Sequence, residues 1–172
     1  LGNEILENVM QNEFEKLGPV IFDERDKQFA NKIRLTFTES DICESFKRIG
    51  IKTPTDMPLC DFVAPLSNIA TGGIGSTDVG DVSWVVPTVQ ARVATCAVGT
   101  PFHTWQAVAQ GKSPAAHKGM VHAAKVMAST ASTLLKSPQK LIDAKNILNL
   151  HLKKHPYICP IPNSVKPPIF DY

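Results

Sequence analysis

The sequence predicts an α/β protein, because segments with helical periodicity surround two short β-prone segments. Residues 59–63 are apolar and compact, and residues 88–98 alternate as a half-buried strand does. The helical segments come first and last in the chain. Before residue 18 the apolar positions that recur at helical spacing are Ile5, Leu6, Val9, Met10, Phe14 and Leu17. We therefore expect a mixed sheet flanked by helices.

Capping side chains predict where the helices begin. Asp23 is a candidate N-cap, and Thr38 with the aspartate three residues later resembles a capping box for a short helix that ends at Gly50. Ser113 and Ser137 each precede a proline, which suits the first helical position of helices reaching about residues 135 and 153. The first of these helices has a predicted packing face made of Val121, Ala124, Met127, Ala128, Ala131 and Leu135.

Composition excludes several classes of protein. The 172 residues carry a net charge of +2, with 43% apolar and 20% charged residues, which is typical of a globular domain. No basic run is interleaved with aromatic residues as a nucleic-acid surface requires, and no apolar run is long enough to span a membrane. The four cysteines form no C-x-x-C motif, and residues 1–17 do not resemble a signal peptide, so we expect reduced thiols and a cytoplasmic protein.

A glycine-rich stretch, residues 71–80, is the first candidate site. It lacks the lysine of a phosphate-binding loop and the spacing of a dinucleotide fingerprint, which favours a plain loop with Ser76 or Thr77 capping a short helix. Asp78 and Asp81 are three residues apart and would share one helix face. They could bind a metal or a ligand, but the pattern favours a role at the helix N-terminus.

Histidines supply the second candidate. His103 follows the strand predicted at residues 88–98, in a loop, and strand ends commonly carry ligand-binding residues in α/β proteins. The alternative is a loop histidine without a function. His117 and His122 are five residues apart and do not share a helix face, so chelation by this pair is not expected.

Several motifs resemble the aminobenzoyl-glutamate utilization protein B group. They lie at residues 75–90, 99–106 and 157–162. That group is part of the large family of aminoacylases and carboxypeptidases with two co-catalytic zinc ions. The resemblance implies a two-zinc exopeptidase-like fold. It makes residues 1–154 the C-terminal portion of the catalytic domain and residues 155–172 an extended, proline-rich tail.

The resemblance also implies roles for individual residues. His103 stands at the position of the family's last metal ligand. Ser76, Thr77 and Asp78 correspond to a turn beside the active site, which would contact substrate or support the metal ligands. The family's other ligands and its general-base glutamate, part of a Glu-Glu pair, come earlier in the chain. No Glu-Glu pair occurs here, so no catalytic residue is expected within this sequence.

The implied function is metal-dependent hydrolysis of p-aminobenzoyl-glutamate or a similar N-acyl amino acid or dipeptide. The implied cofactors are two divalent ions, zinc or manganese, bound in a homo-oligomeric full-length enzyme. These 172 residues alone are expected to bind no metal firmly and to be inactive. The alternative is a non-catalytic α/β module for assembly or partner binding, and the missing Glu-Glu pair favours it.

Overall fold

The structure is a computed structural model that describes residues 1–51, 55–67 and 77–166. Within these ranges the regular elements are all α-helices, and no strand forms. The helices are α1 (Glu4–Leu17), α2 (Glu24–Arg34), α3 (Glu39–Arg48), α4 (Val79–Val85), α5 (Trp105–Gln110), α6 (Pro114–Leu135) and α7 (Pro138–Lys154). None of them is both long and apolar enough to cross a bilayer.

The predicted capping residues do begin their helices. Asp23 and Thr38 both form complete capping boxes at α2 and α3. The hydroxyl of Ser113 accepts a hydrogen bond from the backbone of Ala116 at the start of α6. Ser137 precedes α7 as expected but makes no capping hydrogen bond through its side chain. These starts follow from short-range sequence, because a cap satisfies backbone donors only two or three residues away.

The predicted mixed sheet, and with it the α/β and two-zinc exopeptidase-like fold class, is wrong for the described residues. Residues 59–63 and 88–98 have no regular secondary structure and form no ladder. A backbone hydrogen bond connects the ends of the two segments: Val98 N donates to the carbonyl oxygen of Pro58 at 2.9 Å. Alternating apolar residues predict an extended, half-buried chain, whereas a strand also needs a neighbouring strand to pair its backbone groups.

The segment of residues 88–98 packs on helix α6 instead. An ideal Cβ placed on Gly119 would lie 2.1 Å from the carbonyl oxygen of Ala94 and 2.8 Å from Cγ2 of Thr95. Only glycine therefore allows this close approach of backbone to helix. Next to this contact, a small core of buried residues holds the segment against the helices; its members are Val20, Phe22, Ala30, Leu59, Ala97 and Ala115.

Helices α1, α6 and α7 pack together and contain a buried carboxylate at the contact between α1 and α6. The side chain of Glu13 is 5% exposed and accepts hydrogen bonds from Lys16, Ser129 and Thr133. The hydrogen bond from Lys16 is the largest influence on this carboxyl, and together these partners lower its pKa from 4.5 to about 2. Glu13 is thus ionised and fully paired, as a buried charge must be.

A second ionic cluster joins α6 to the start of α2. Lys118 Nζ lies 2.8 Å from a carboxylate oxygen of Asp23 and also contacts the carboxylate of Asp26, whose side chain is 1% exposed. The hydrogen bond from Lys118 lowers the pKa of Asp23, and the same contact raises the pKa of Lys118. The N-cap of α2 therefore also serves a tertiary contact.

The predicted packing face of α6 is exposed. Val121, Met127 and Leu135 are 49%, 52% and 77% exposed, and the three alanines of that face are not among its buried residues. The residues of α6 that are buried are Ala115, Gly119, Val126 and Thr130. The predicted packing face is therefore wrong for the described residues, because α1, α7 and residues 88–98 cover other sides of the helix.

The described part of the predicted tail, residues 155–166, has no regular secondary structure and is exposed except for Tyr157, which is half-buried. The four cysteines are free thiols. Burial raises the pKa of the Cys60 and Cys96 thiols, which keeps both protonated.

Candidate functional site

The turn before α4 contains two of the residues that the sequence singles out. Thr77 and Asp78 are both exposed, and Ser76 lies outside the described residues. The Thr77 hydroxyl donates to the Asp78 carboxylate at 3.4 Å and accepts from the backbone N–H of Val79 at 3.3 Å. Thr77 thus lies one residue before the N-cap, which is Asp78 rather than the predicted Ser76 or Thr77. Asp78 occupies the N-cap position without forming a capping bond, so its carboxylate faces solvent.

His103 lies in an exposed loop and has an unusual backbone conformation. Its φ is 62°, and no other residue except glycine has a positive φ among the described residues. Histidine adopts this left-handed region more readily than most residues, but such conformations persist only where surrounding contacts fix them, and they concentrate at functional sites. The imidazole projects from this loop into solvent rather than into the core.

Both ends of the His103 loop are fixed. Gly99 has a φ of 102°, and a Cβ there would lie 2.9 Å from Phe37 and Ile42, so the chain turns tightly against α3 and its approach. On the other side Thr104 is the N-cap of α5; its hydroxyl donates to the carbonyl oxygen of Pro101 at 2.6 Å. The histidine therefore lies between two rigid points.

The buried side-chain amide of Gln110, which sequence reasoning missed, connects the two ends of this loop. Gln110, at the end of α5, is 3% exposed. Its Oε1 accepts from Ala97 N at 2.7 Å, and its Nε2 donates to Thr100 Oγ1 and to the carbonyl oxygen of Gln106, both at 3.0 Å. A glutamine in a six-residue helix gives no sequence signal of burial, because its partners are fixed only by the fold. Gln110 holds the turn before His103 against the helix after it.

The hydrogen bonds and ring contacts of the described residues do not connect His103 with Thr77 or Asp78. The alternation of residues 88–98 and the family position of His103 predict a cleft that His103 shares with residues 75–81, and this cleft stays a prediction. No three histidine, cysteine, aspartate or glutamate side chains come together as a metal site in residues 1–51, 55–67 and 77–166. A cavity of about 50 Å³ lies between α4 and α7, lined in part by Ser83, Thr88 and His151, but it admits little more than water.

Asp81, the other half of the predicted acidic pair, lies in the first turn of α4 and contacts the tail. Its carboxylate accepts a hydrogen bond from the Tyr157 hydroxyl at 2.8 Å. This bond, with a smaller contribution from burial, raises the pKa of Tyr157 to about 12. The Tyr157 ring stacks on Trp84 at a centroid distance of 6.2 Å, and His151 of α7 meets Trp84 edge-on at 5.0 Å.

Comparison with known proteins relates this helical chain to a component of a hydrolase. That relative is a p-aminobenzoyl-glutamate hydrolase subunit from Escherichia coli (strain K12), 36% identical over 177 aligned residues. The alignment covers 97% of this chain and 37% of the relative, so the chain spans little more than a third of that protein's length. The resemblance to the aminobenzoyl-glutamate utilization protein B group is confirmed. No family model matches the chain, and no solved structure matches it.

Proposed function

We propose that this chain is part of a metal-dependent amidohydrolase that cleaves p-aminobenzoyl-glutamate or a similar N-acyl amino acid or dipeptide. The observation that carries the proposal is 36% identity, along nearly the whole chain, to a protein named as part of a p-aminobenzoyl-glutamate hydrolase. The proposal extends to a homo-oligomeric, cytoplasmic enzyme that acts on a small molecule.

We assign His103 as one ligand of a divalent metal ion, zinc or manganese. Two features support this: the imidazole is exposed and free to bind, and its left-handed backbone is held by Gly99 on one side and Thr104 on the other. Thr77 and Asp78, exposed and open to solvent, are assigned to substrate or to support of the metal ligands. Ser76 is assigned with them on the motif alone.

The described residues do not form a metal site by themselves. A metal that activates water needs about three protein ligands and a nearby base, and His103 is the one exposed ligand that we assign in this part of the chain. When bound, the metal ions would polarise the amide carbonyl and activate water. In this proposal His103 would hold one metal ion, and Thr77 and Asp78 would contact substrate or support the metal ligands. The remaining ligands and the base would come from polypeptide outside this sequence.

The isolated 172-residue chain is therefore assigned no catalytic activity. The apolar face of α6 supports a role within a larger assembly, because Val121, Met127 and Leu135 are exposed together with three alanines over several turns. Monomeric proteins seldom leave a continuous apolar face of this length in water.

The second candidate is a non-catalytic helical module for assembly or partner binding. The observation that favours it is the lack of a three-ligand group in the described residues, together with the missing Glu-Glu pair in the sequence. The two candidates differ in whether His103 matters for metal content.

The deciding experiment compares His103→Ala with His117→Ala in the complete gene product. Both histidines are exposed, so either change removes a solvent-facing imidazole. Loss of one ligand should weaken metal binding and lower the hydrolysis of p-aminobenzoyl-glutamate by roughly 100-fold or more, whereas His117→Ala should stay within about twofold. Metal content by emission spectroscopy and amide cleavage are measured side by side. Equal effects of the two substitutions contradict the assignment of His103.

A companion measurement tests whether the chain is sufficient. The purified 172-residue chain is supplied with zinc or manganese and assayed beside the complete gene product. No turnover by the isolated chain is expected, and turnover near the rate of the complete product would show that the site lies entirely within these residues.

A further inference from the structure

The short helix α4 follows directly on the Thr77–Asp78 turn, so the orientation of that turn depends on the helix. The hydroxyl of Thr77 accepts from the first residue of the helix, and Asp78 is its N-cap residue. A change in the direction of α4 therefore moves both side chains. The seven residues of α4 are too few to form a stable helix alone, and its N-cap supplies no capping bond. Contacts with the rest of the chain must fix it.

Those contacts come from the end of α7, from the tail, and from Leu1, whose backbone nitrogen donates to Ser83 Oγ at 2.8 Å. Asp81 and Trp84 are one turn apart on α4 and share a face. Asp81 accepts a hydrogen bond from the Tyr157 hydroxyl at 2.8 Å, and the Trp84 ring contacts the rings of both Tyr157 and His151. Beside them, Ser83 is 4% exposed. One face of α4 is thus attached to a segment more than sixty residues later in the sequence.

We propose that Tyr157 is a positioning residue for the candidate site. Through its hydrogen bond to Asp81 it holds α4, and with it Thr77 and Asp78, in the orientation that substrate binding requires. This inference rests on the proposed function, because it takes the Thr77–Asp78 turn to contact substrate. Aromatic stacking between Tyr157 and Trp84 fixes the ring, and the hydroxyl then fixes the rotation of the helix about that contact.

The first test measures attachment of the tail without reference to catalysis. The chain has two tryptophans, and Trp105→Phe leaves Trp84 as the sole tryptophan emitter. In that background Tyr157→Phe and Asp81→Ala should both increase quenching of Trp84 fluorescence by acrylamide. Asp81→Asn should resemble the unsubstituted protein, since its amide oxygen still accepts from the phenol. Ile158→Ala, at a neighbouring tail residue that is 82% exposed, is the control.

The second test measures kinetics in the complete gene product, with Trp105 retained. Tyr157→Phe and Asp81→Ala should raise KM for p-aminobenzoyl-glutamate by about threefold to tenfold, as expected for the loss of one orienting hydrogen bond. Asp81→Asn should restore KM to within about twofold. A merely structural role would lower the folded fraction and so reduce apparent kcat while KM stays unchanged, which separates positioning from stability.

The outcomes are distinct. Increased quenching together with increased KM in Tyr157→Phe and Asp81→Ala, and recovery of both in Asp81→Asn, supports the inference. Unchanged quenching in Tyr157→Phe overturns it, as does increased quenching with unchanged KM, and in both cases the proposed function stands. An unsubstituted gene product that hydrolyses nothing overturns the proposed function and this inference with it.

Discussion

Replacing Gln110 with methionine tests how the His103 loop is fixed. Methionine has nearly the same length and flexibility as glutamine but cannot replace its hydrogen bonds. The substitution removes three bonds, to Ala97 N, Thr100 Oγ1 and the Gln106 carbonyl. The backbone N–H of Ala97, a residue that is 2% exposed, loses its acceptor in the core.

The expected loss follows from these contacts. An unpaired buried donor costs about 1–3 kcal/mol, and each of the other two bonds contributes about 0.5–1.5 kcal/mol. Methionine recovers part of this, about 1–2 kcal/mol, through apolar burial, so we expect the free energy of unfolding to fall by about 1–4 kcal/mol.

Urea denaturation followed by circular dichroism measures the change, and Gln106→Met is the matched control. Gln106 lies one turn earlier on the same helix, is half-buried and takes part in the network only through its backbone carbonyl. Its substitution should change the free energy of unfolding by less than about 0.5 kcal/mol. If the two variants unfold at the same urea concentration, the buried amide does not hold the loop.

Three further predictions concern the helices. Glu13→Gln should lower the free energy of unfolding by about 1–2 kcal/mol at pH 7, a value kept small because Lys16 is 66% exposed. The pKa of Glu13 is lower in the folded than in the unfolded chain, so the difference from wild type should be complete above about pH 4.5 and fade toward pH 2. A difference in urea midpoints that does not change with pH would contradict this. Gly119→Ala should destabilise by about 1–3 kcal/mol despite the higher helix propensity of alanine, because its Cβ meets the Ala94 carbonyl; a raised melting temperature would refute this contact. Met127→Glu, on the exposed face of α6, should reduce self-association in sedimentation velocity without changing the melting temperature, and a wild-type chain that is monomeric at every concentration tested would argue against a role for that face in association.

Short-range patterns predicted much of the helical structure. Asp23, Thr38 and Ser113 begin the helices that their sequence context indicates, because capping involves residues within one turn. The predicted strands do not form, because strand pairing depends on residues that are distant in the sequence. Residues 88–98 have the alternation of a strand, yet pairing depends on a partner elsewhere in the chain, and here the segment lies on α6 at Gly119 instead.

The candidate site was predicted only as residue identities. Motif resemblance singled out His103, Thr77 and Asp78, but no local pattern indicates the positive φ of His103 or the burial of Gln110. The contact between Asp81 and Tyr157 of the tail could not be predicted from the sequence either, because the two residues are 76 positions apart. Helix ends are encoded locally, whereas the environment of a site depends on the tertiary fold.

The carboxylate of Glu13 also restricts how α1 can move. It bonds to Ser129 and Thr133, which are one helical turn apart on α6. Sliding α1 along α6 by one turn would break the hydrogen bond to one of these hydroxyls. The buried Glu13 carboxylate would then lie beside a different set of side chains. Shear between packed helices is a common way for proteins to change shape, and it proceeds by such small displacements. Sliding at this contact would break the hydrogen bonds of a buried charge, so we expect α1 and α6 to move together.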